Sequence, residues 1–90
     1  MKTEIKNAIE AIWEVASDSQ KTEAILAESA VLGYEADEEK VLFDLADYFT
    51  NFVKCDVDED GIITIDESDP LFTELGEKVT TVEQLIDMIG

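Results

Sequence analysis

The sequence predicts a small all-α domain that contains one helix-loop-helix unit. Apolar residues recur at three-to-four spacing along most of the 90 residues, which is the period of amphipathic helices. Capping residues stand where these stretches begin, and glycines stand where several of them end. No linker or repeat divides the chain, so we expect one domain over residues 1–90, with an N-terminal helical pair at 1–34 and a second segment at 37–90.

Capping residues divide the first half of the chain into three predicted helices. Apolar spacing predicts the first helix over about residues 3–16. Ser17 and Gln20 have the spacing of a capping box, so a second helix should follow and end at Gly33. Asp37 then predicts the N-cap of a third helix, with further acids in its first turn.

The apolar pattern of the third helix continues unbroken to about residue 55. Beyond the next loop, Asp69 and Pro70 form the N-cap and first position of a short helix that Gly76 stops. A last helix should begin at a second capping box, formed by Thr80 and Glu83.

The segment DVDEDGIITIDE, residues 56–67, has the oxygen spacing of a calcium loop. Calcium takes about six to eight oxygen ligands, and a twelve-residue loop supplies them from fixed positions. Gly61 stands where such a loop turns sharply and needs a positive φ. The predicted ligands are the side chains of Asp56, Asp58 and Asp60, the carbonyl of Ile62, Thr64 through a water molecule, and the bidentate carboxylate of Glu67.

This segment resembles the calmodulin-like EF-hand family. Tyr48 and Phe52 stand eight and four residues before the loop, where such proteins carry aromatic residues. The segment LGEK, with an amphipathic helix after it, resembles the chain that leaves a calmodulin loop. The resemblance covers about residues 38–89, and it implies a small regulatory or interaction protein that binds one Ca²⁺.

The same residues also fit a β-hairpin at about residues 53–66, which would make the fold α+β. Apolar and polar residues alternate on both sides of Asp-Glu-Asp-Gly, with Gly61 in the left-handed position of the turn. Val57 would then face Ile62 across the hairpin. Pro70, three residues after Glu67, departs from the EF-hand pattern, because a proline cannot donate the backbone hydrogen bond that a continuing helix needs.

Charge limits the functions that the chain can have. Asp and Glu number 23 against six lysines, the net charge is −17, and arginine and histidine are absent. Without histidine, the chain has no imidazole base and no Ser-His or Cys-His nucleophile, so we predict no enzymatic activity. The negative charge disfavours direct binding to nucleic acid or to an anionic membrane. Cys55 has no second cysteine to pair with, and no signal peptide or membrane span is evident, so we expect a soluble, cytoplasmic protein.

A second functional class is indicated by the charge itself. A strongly acidic inhibitor or immunity protein, such as a phage-encoded anti-defence protein, mimics nucleic acid and occupies the basic groove of a target protein. The partner of this chain would then be a basic protein surface. The candidate partner-binding residues form an acid-dense run: Glu35, Asp37, Glu38, Glu39, Asp44 and Asp47.

A second, weaker resemblance is to acyl carrier proteins. The C-terminal segment EKVTTVEQLIDMI is similar to the last helix of that family. The nearest match to the modified serine of those proteins is Ser19, but the leucine that should come next is replaced by Gln20. The resemblance implies a noncanonical carrier protein.

Overall fold

A computed structural model describes residues 3–89, so residues 1, 2 and 90 of the predicted domain lie outside the described part. Within that range the chain is mostly helical, with a small antiparallel sheet. The elements in chain order are α1 Thr3–Glu14, α2 Asp18–Leu32, α3 Glu38–Phe52, β1 Cys55–Val57, β2 Ile63–Ile65, α4 Pro70–Leu75, β3 Lys78–Val79 and α5 Val82–Ile89.

The core lies where the helices meet the apolar face of the sheet. Helix α1 packs against α3, helix α2 packs against α5, and β1 also contacts α1. Removal of this apolar surface from water is the main force that holds so small a domain together. The largest fully buried side chains are Phe49, Ile5, Ile9, Ile63, Ile65, Leu85, Val41 and Val79. None of the helices described between residues 3 and 89 has the length and apolar composition needed to cross a bilayer.

The predicted helix ends are largely confirmed. Ser17 and Gln20 form the capping box of α2, and Gly33 ends that helix in the left-handed conformation with φ 78°. Asp37 caps α3 by accepting a hydrogen bond from the Lys40 N–H at 2.9 Å. The first helix ends at Glu14, two residues earlier than predicted.

The all-α prediction is wrong at residues 53–66, where the chain forms the hairpin of the alternative prediction. Helix α3 ends at Phe52, and Val53 is already extended, with φ −116° and ψ 132°. Strands β1 and β2 pair antiparallel, and Gly61 has the expected positive φ of 79°. The predicted facing of Val57 and Ile62 is wrong by one residue. The register pairs Cys55 with Ile65, Asp56 with Thr64, and Val57 with Ile63.

Side-chain alternation explains why strands win over a longer helix. Ile63 and Ile65 are both buried, whereas Thr64 between them points to the other side of the sheet. This period of two places both β-branched side chains in the core, where strands accommodate them well. A helix across this segment could not place alternate residues on one face.

The sheet has a third strand that the sequence prediction missed. Strand β3 pairs antiparallel with β2, with Val79 opposite Ile63, so β2 lies at the centre. Because residues up to Val79 belong to β3, the capping box of α5 is formed by Thr81 and Gln84, one residue later than the predicted Thr80 and Glu83. The N–H of Gln84 donates to the Thr81 hydroxyl at 3.4 Å, and the Gln84 side-chain oxygen accepts from the Thr81 N–H at 3.0 Å.

The Asp69 carboxylate links the chain at Lys54, just before β1, to the N-terminus of α4. Its replacement should therefore destabilise the protein. One carboxylate oxygen accepts from the Leu71 N–H at 2.9 Å and caps α4, while the other accepts from the Lys54 N–H at 3.0 Å. These two backbone hydrogen bonds hold the pKa of Asp69 below its ordinary value. We expect Asp69→Ala to lower the thermal midpoint at pH 7 by roughly 4–8 °C.

The matched control is Asp69→Asn, which keeps an oxygen that can cap the helix and should retain most of the stability. Because the Asp69 pKa is depressed, its stabilisation is present above the ordinary aspartate pKa. It should be lost as pH falls through the lower pKa of the folded state. Equal thermal midpoints for wild type and Asp69→Ala at pH 7 would contradict this role.

Candidate functional site

In the hairpin turn, the side chain of one predicted calcium ligand, Asp58, accepts hydrogen bonds from the backbone. A single oxygen of Asp58 accepts hydrogen bonds from the N–H groups of Asp60 and Ile62, both at 2.9 Å. The Asp58 N–H donates to the Ile62 carbonyl at 3.0 Å, so that predicted ligand also has a backbone partner. Asp58 thus shapes this turn, as aspartates do in Asx-turns.

The other predicted ligands lie apart along the hairpin. Asp56 and Thr64 face each other in the β1–β2 ladder, and the Asp56 carboxylate accepts from the Val57 N–H at 2.9 Å. Asp60 is exposed in the turn, and Glu67 is exposed in the next turn, beyond β2. Between residues 3 and 89, no group of three or more His, Cys, Asp or Glu side chains converges in a way that could hold a metal ion.

The acidic surface predicted around α3 divides into exposed and engaged residues. Glu35, Asp37, Glu38 and Glu39 are exposed, whereas Asp44 and Asp47 are half-buried. Glu38 accepts a hydrogen bond from the indole N–H of the buried Trp13. Asp44 pairs with Lys40 at 3.2 Å, and Asp47 accepts from the Asn51 amide at 2.8 Å.

Two carboxylates of this run are left without such partners. Glu35 and Glu39 are exposed, and neither takes part in the hydrogen bonds and ion pairs that the structure gives over residues 3–89. They lie near the N-terminus of α3 in the chain, and both line an open groove. These two charges are therefore available to a partner without loss of a structural contact.

The groove lies between α1, the α2–α3 connection and α3, and has a volume of about 960 Å³. Its apolar lining includes Tyr34 and Phe43, which are 58% and 56% exposed. This groove was not predicted from the sequence, although Glu39, Phe43 and Ala46 have the spacing of one helix face. The lining residues are Lys6, Glu10, Tyr34, Glu35, Ala36, Asp37, Glu39, Lys40, Leu42, Phe43 and Ala46.

Ser29 fixes the connection that forms one wall of the groove. Its hydroxyl donates to the Ile25 carbonyl at 2.8 Å and accepts from the Ala36 N–H at 2.9 Å. The Ser29 carbonyl also accepts from the Gly33 N–H at 2.9 Å, which closes the end of α2. Tyr34 and Glu35 lie between these anchored positions, so the groove wall is held by hydrogen bonds at both ends.

A buried acid, Glu28, was also missed. It is 6% exposed and lies on the face of α2 that carries the buried Ala24, and the four-residue spacing of the two was the available signal. Burial first, and then a hydrogen bond with Asp44 and the negative charge of that residue, raise the pKa of Glu28 to about 7, against the opposing effect of the Lys40 charge. Glu28 and Asp44 also line a small cavity of about 180 Å³ between α2, α3 and α5.

Comparison with protein-family models, with curated proteins and with solved structures finds no match to this chain. The EF-hand and acyl-carrier resemblances therefore stay predictions. Ser19, the nearest counterpart of the carrier serine, is exposed in the first turn of α2.

Protonation of Glu28 should make stability depend on pH. Because the pKa of the folded state is raised, the stabilisation is fully present below the ordinary value of 4.5 and is lost as pH rises through about 7. Glu28→Gln should therefore be more stable than wild type at pH 8, by on the order of 1–3 kcal/mol, and similar to it at pH 5. Thermal unfolding across this pH range measures the difference.

The control is Glu23→Gln, on the same helix but exposed, which removes the same formal charge. Its stability difference from wild type should change little between pH 5 and pH 8. If Glu28→Gln shows the same small change as Glu23→Gln, Glu28 is charged in the folded protein and this interpretation is wrong.

Proposed function

We propose that this protein is a small acidic interaction protein that binds the basic groove of a target protein and acts as an inhibitor by occupying it. The observation that carries the proposal is the pair of exposed, uncommitted carboxylates of Glu35 and Glu39 beside exposed aromatic side chains at one groove. Acids that serve only to keep a protein in solution need no such neighbours. Exposed aromatic side chains that line a groove beside Glu35 and Glu39, by contrast, offer a partner apolar contact as well as charge.

The sign of the charge selects the class of partner. Seventeen net negative charges on 90 residues far exceed the magnitude of about 2–8 that solubility asks of a small domain. Such a field attracts cationic surfaces and accelerates encounter with them, while it repels nucleic acid. A target whose groove normally holds phosphates offers the complementary surface, so the protein would compete with nucleic acid for it.

Reversal of the charges at Glu35 and Glu39 tests this proposal. The probe is a fluorescent ten-residue lysine peptide, followed by anisotropy at 50 and 200 mM NaCl. Wild-type binding should weaken steeply between the two salt concentrations. Glu35→Lys/Glu39→Lys should weaken binding at 50 mM NaCl by about fivefold or more, because the peptide is held by charges near the groove.

The matched control is Glu74→Lys/Glu77→Lys, which changes the net charge equally at exposed positions outside the groove. Its effect should be about twofold or less, because solvent and salt screen distant charges. Equal losses in the two double variants would show that the peptide senses only net charge, and the proposed binding surface would be wrong.

Calcium binding at residues 56–67 is the alternative proposal. All the ligand types of the pattern are present, and the carboxylates of Asp60 and Glu67 are exposed. The ion would have to draw them towards Asp58 at the expense of the hydrogen bonds of that residue to the turn. The net negative charge of the loop favours a divalent cation and offsets part of that cost.

Calorimetry with calcium tests the alternative proposal. If it holds, one ion should bind at micromolar to millimolar strength, and Glu67→Gln should weaken binding sharply by removing the bidentate arm. The control is Glu59→Gln, in the same exposed turn but outside the ligand pattern, which should bind normally. No heat and unchanged amide signals at Gly61 and Ile63 would exclude the loop as a calcium site.

A further inference from the structure

We propose that the groove between α1, the α2–α3 connection and α3 binds an arginine-bearing segment of the target protein, with guanidinium groups stacked on Tyr34 and Phe43. This inference rests on the proposed function and adds to it the chemistry of the partner. The groove combines two exposed aromatic rings with the carboxylates of Glu10, Glu35, Asp37 and Glu39. Arginine is the basic side chain that can both stack on the rings and pair with the carboxylates.

The aromatic rings discriminate between the two kinds of cation that the acids attract. A guanidinium is planar, weakly hydrated and able to stack on a ring while its N–H groups pair with a carboxylate. A lysine ammonium is a compact, strongly hydrated point charge that gains less from a half-exposed ring. Tyr34 and Phe43 therefore favour arginine, whereas the surrounding acids alone would accept either residue.

The groove is large enough for a peptide segment, and its charge disfavours the other main occupants. Its volume of about 960 Å³ lies near the upper end of the range of about 300–1,000 Å³ for small-molecule pockets, so it has room for several side chains. Of its two lysines, Lys40 is already paired with Asp44, so Lys6 is the one lining cation without an ion-pair partner over residues 3–89. A second copy of this chain carries the same negative charge and would be repelled, and a wholly apolar helix would desolvate the acids without pairing them.

The experiment compares two ten-residue probe peptides, one of alternating arginine and glycine and one with every arginine replaced by lysine. Anisotropy is measured at 50 mM NaCl with wild-type protein and with Tyr34→Ser/Phe43→Ser, which alters no charge. Wild type should prefer the arginine peptide by roughly fivefold or more. The double variant should lose that preference, to about twofold or less, while it still binds the lysine peptide through the acids.

The control variant is Phe52→Ser, which removes an aromatic ring from the same helix at a position that is 71% exposed and outside the groove. It should keep the full arginine preference. Thermal unfolding of each variant establishes that the fold is intact, as expected from the exposure of the three side chains.

The outcomes separate this inference from the proposed function. Binding that depends on Glu35 and Glu39 but shows no arginine preference in wild type overturns the inference and leaves the proposed function standing. A preference that survives in Tyr34→Ser/Phe43→Ser, or that Phe52→Ser also removes, overturns it as well. If neither peptide binds, both proposals fail, and a dimer that the double variant dissociates would identify a second copy as the occupant instead.

Discussion

Mutual repulsion among the carboxylates is the constraint on which the rest of the structure depends. A single small core must hold together a chain with 23 acids and six lysines. The fold meets this constraint by giving several acids backbone N–H groups to accept from. Asp37 and Asp69 cap helices and Asp58 shapes the hairpin turn, so the charge that would drive the chain apart stabilises the ends of its elements. These acids therefore stabilise the fold, and do not only make the protein surface negative.

Glu28 shows the other way in which the chain accommodates an acid. It lies beside Asp44, where its burial and the negative charge of that residue make a second charge costly, and its raised pKa keeps Glu28 protonated under mildly acidic conditions. The structural acids are therefore bonded to backbone N–H groups, bonded to side-chain partners, as Glu38, Asp44 and Asp47 are, or protonated. Glu35 and Glu39 belong to none of these groups, and their place beside Tyr34 and Phe43 in the groove distinguishes them from the other exposed acids as candidates for recognition.

Local signals in the sequence were sufficient for the helix ends but not for the tertiary features. Ser17, Gly33 and Asp37 act within a few residues of their own positions, so their roles could be predicted. The two-residue strand β3 depends on β2 as its partner, which no local pattern reveals. The groove likewise exists only because α1 and the α2–α3 connection come together beside Phe43. The hairpin is only the alternative prediction from the sequence, because the apolar residues of this region fit a helix period before residue 53 and a strand period after it.

That ambiguity has a physical origin in the chemistry of aspartate and glycine. A turn stabilised by side-chain oxygens needs an aspartate with a residue that tolerates positive φ close behind it, and a calcium loop needs the same pair. The two structures differ in where the Asp58 lone pairs are directed: onto the N–H groups of Asp60 and Ile62, as here, or onto a cation. Buried Ile63 and Ile65 favour the first arrangement, because they hold β2 in register against the core whether or not an ion is present. A cation at this turn therefore has to gain more from the carboxylates than the turn loses in backbone hydrogen bonds.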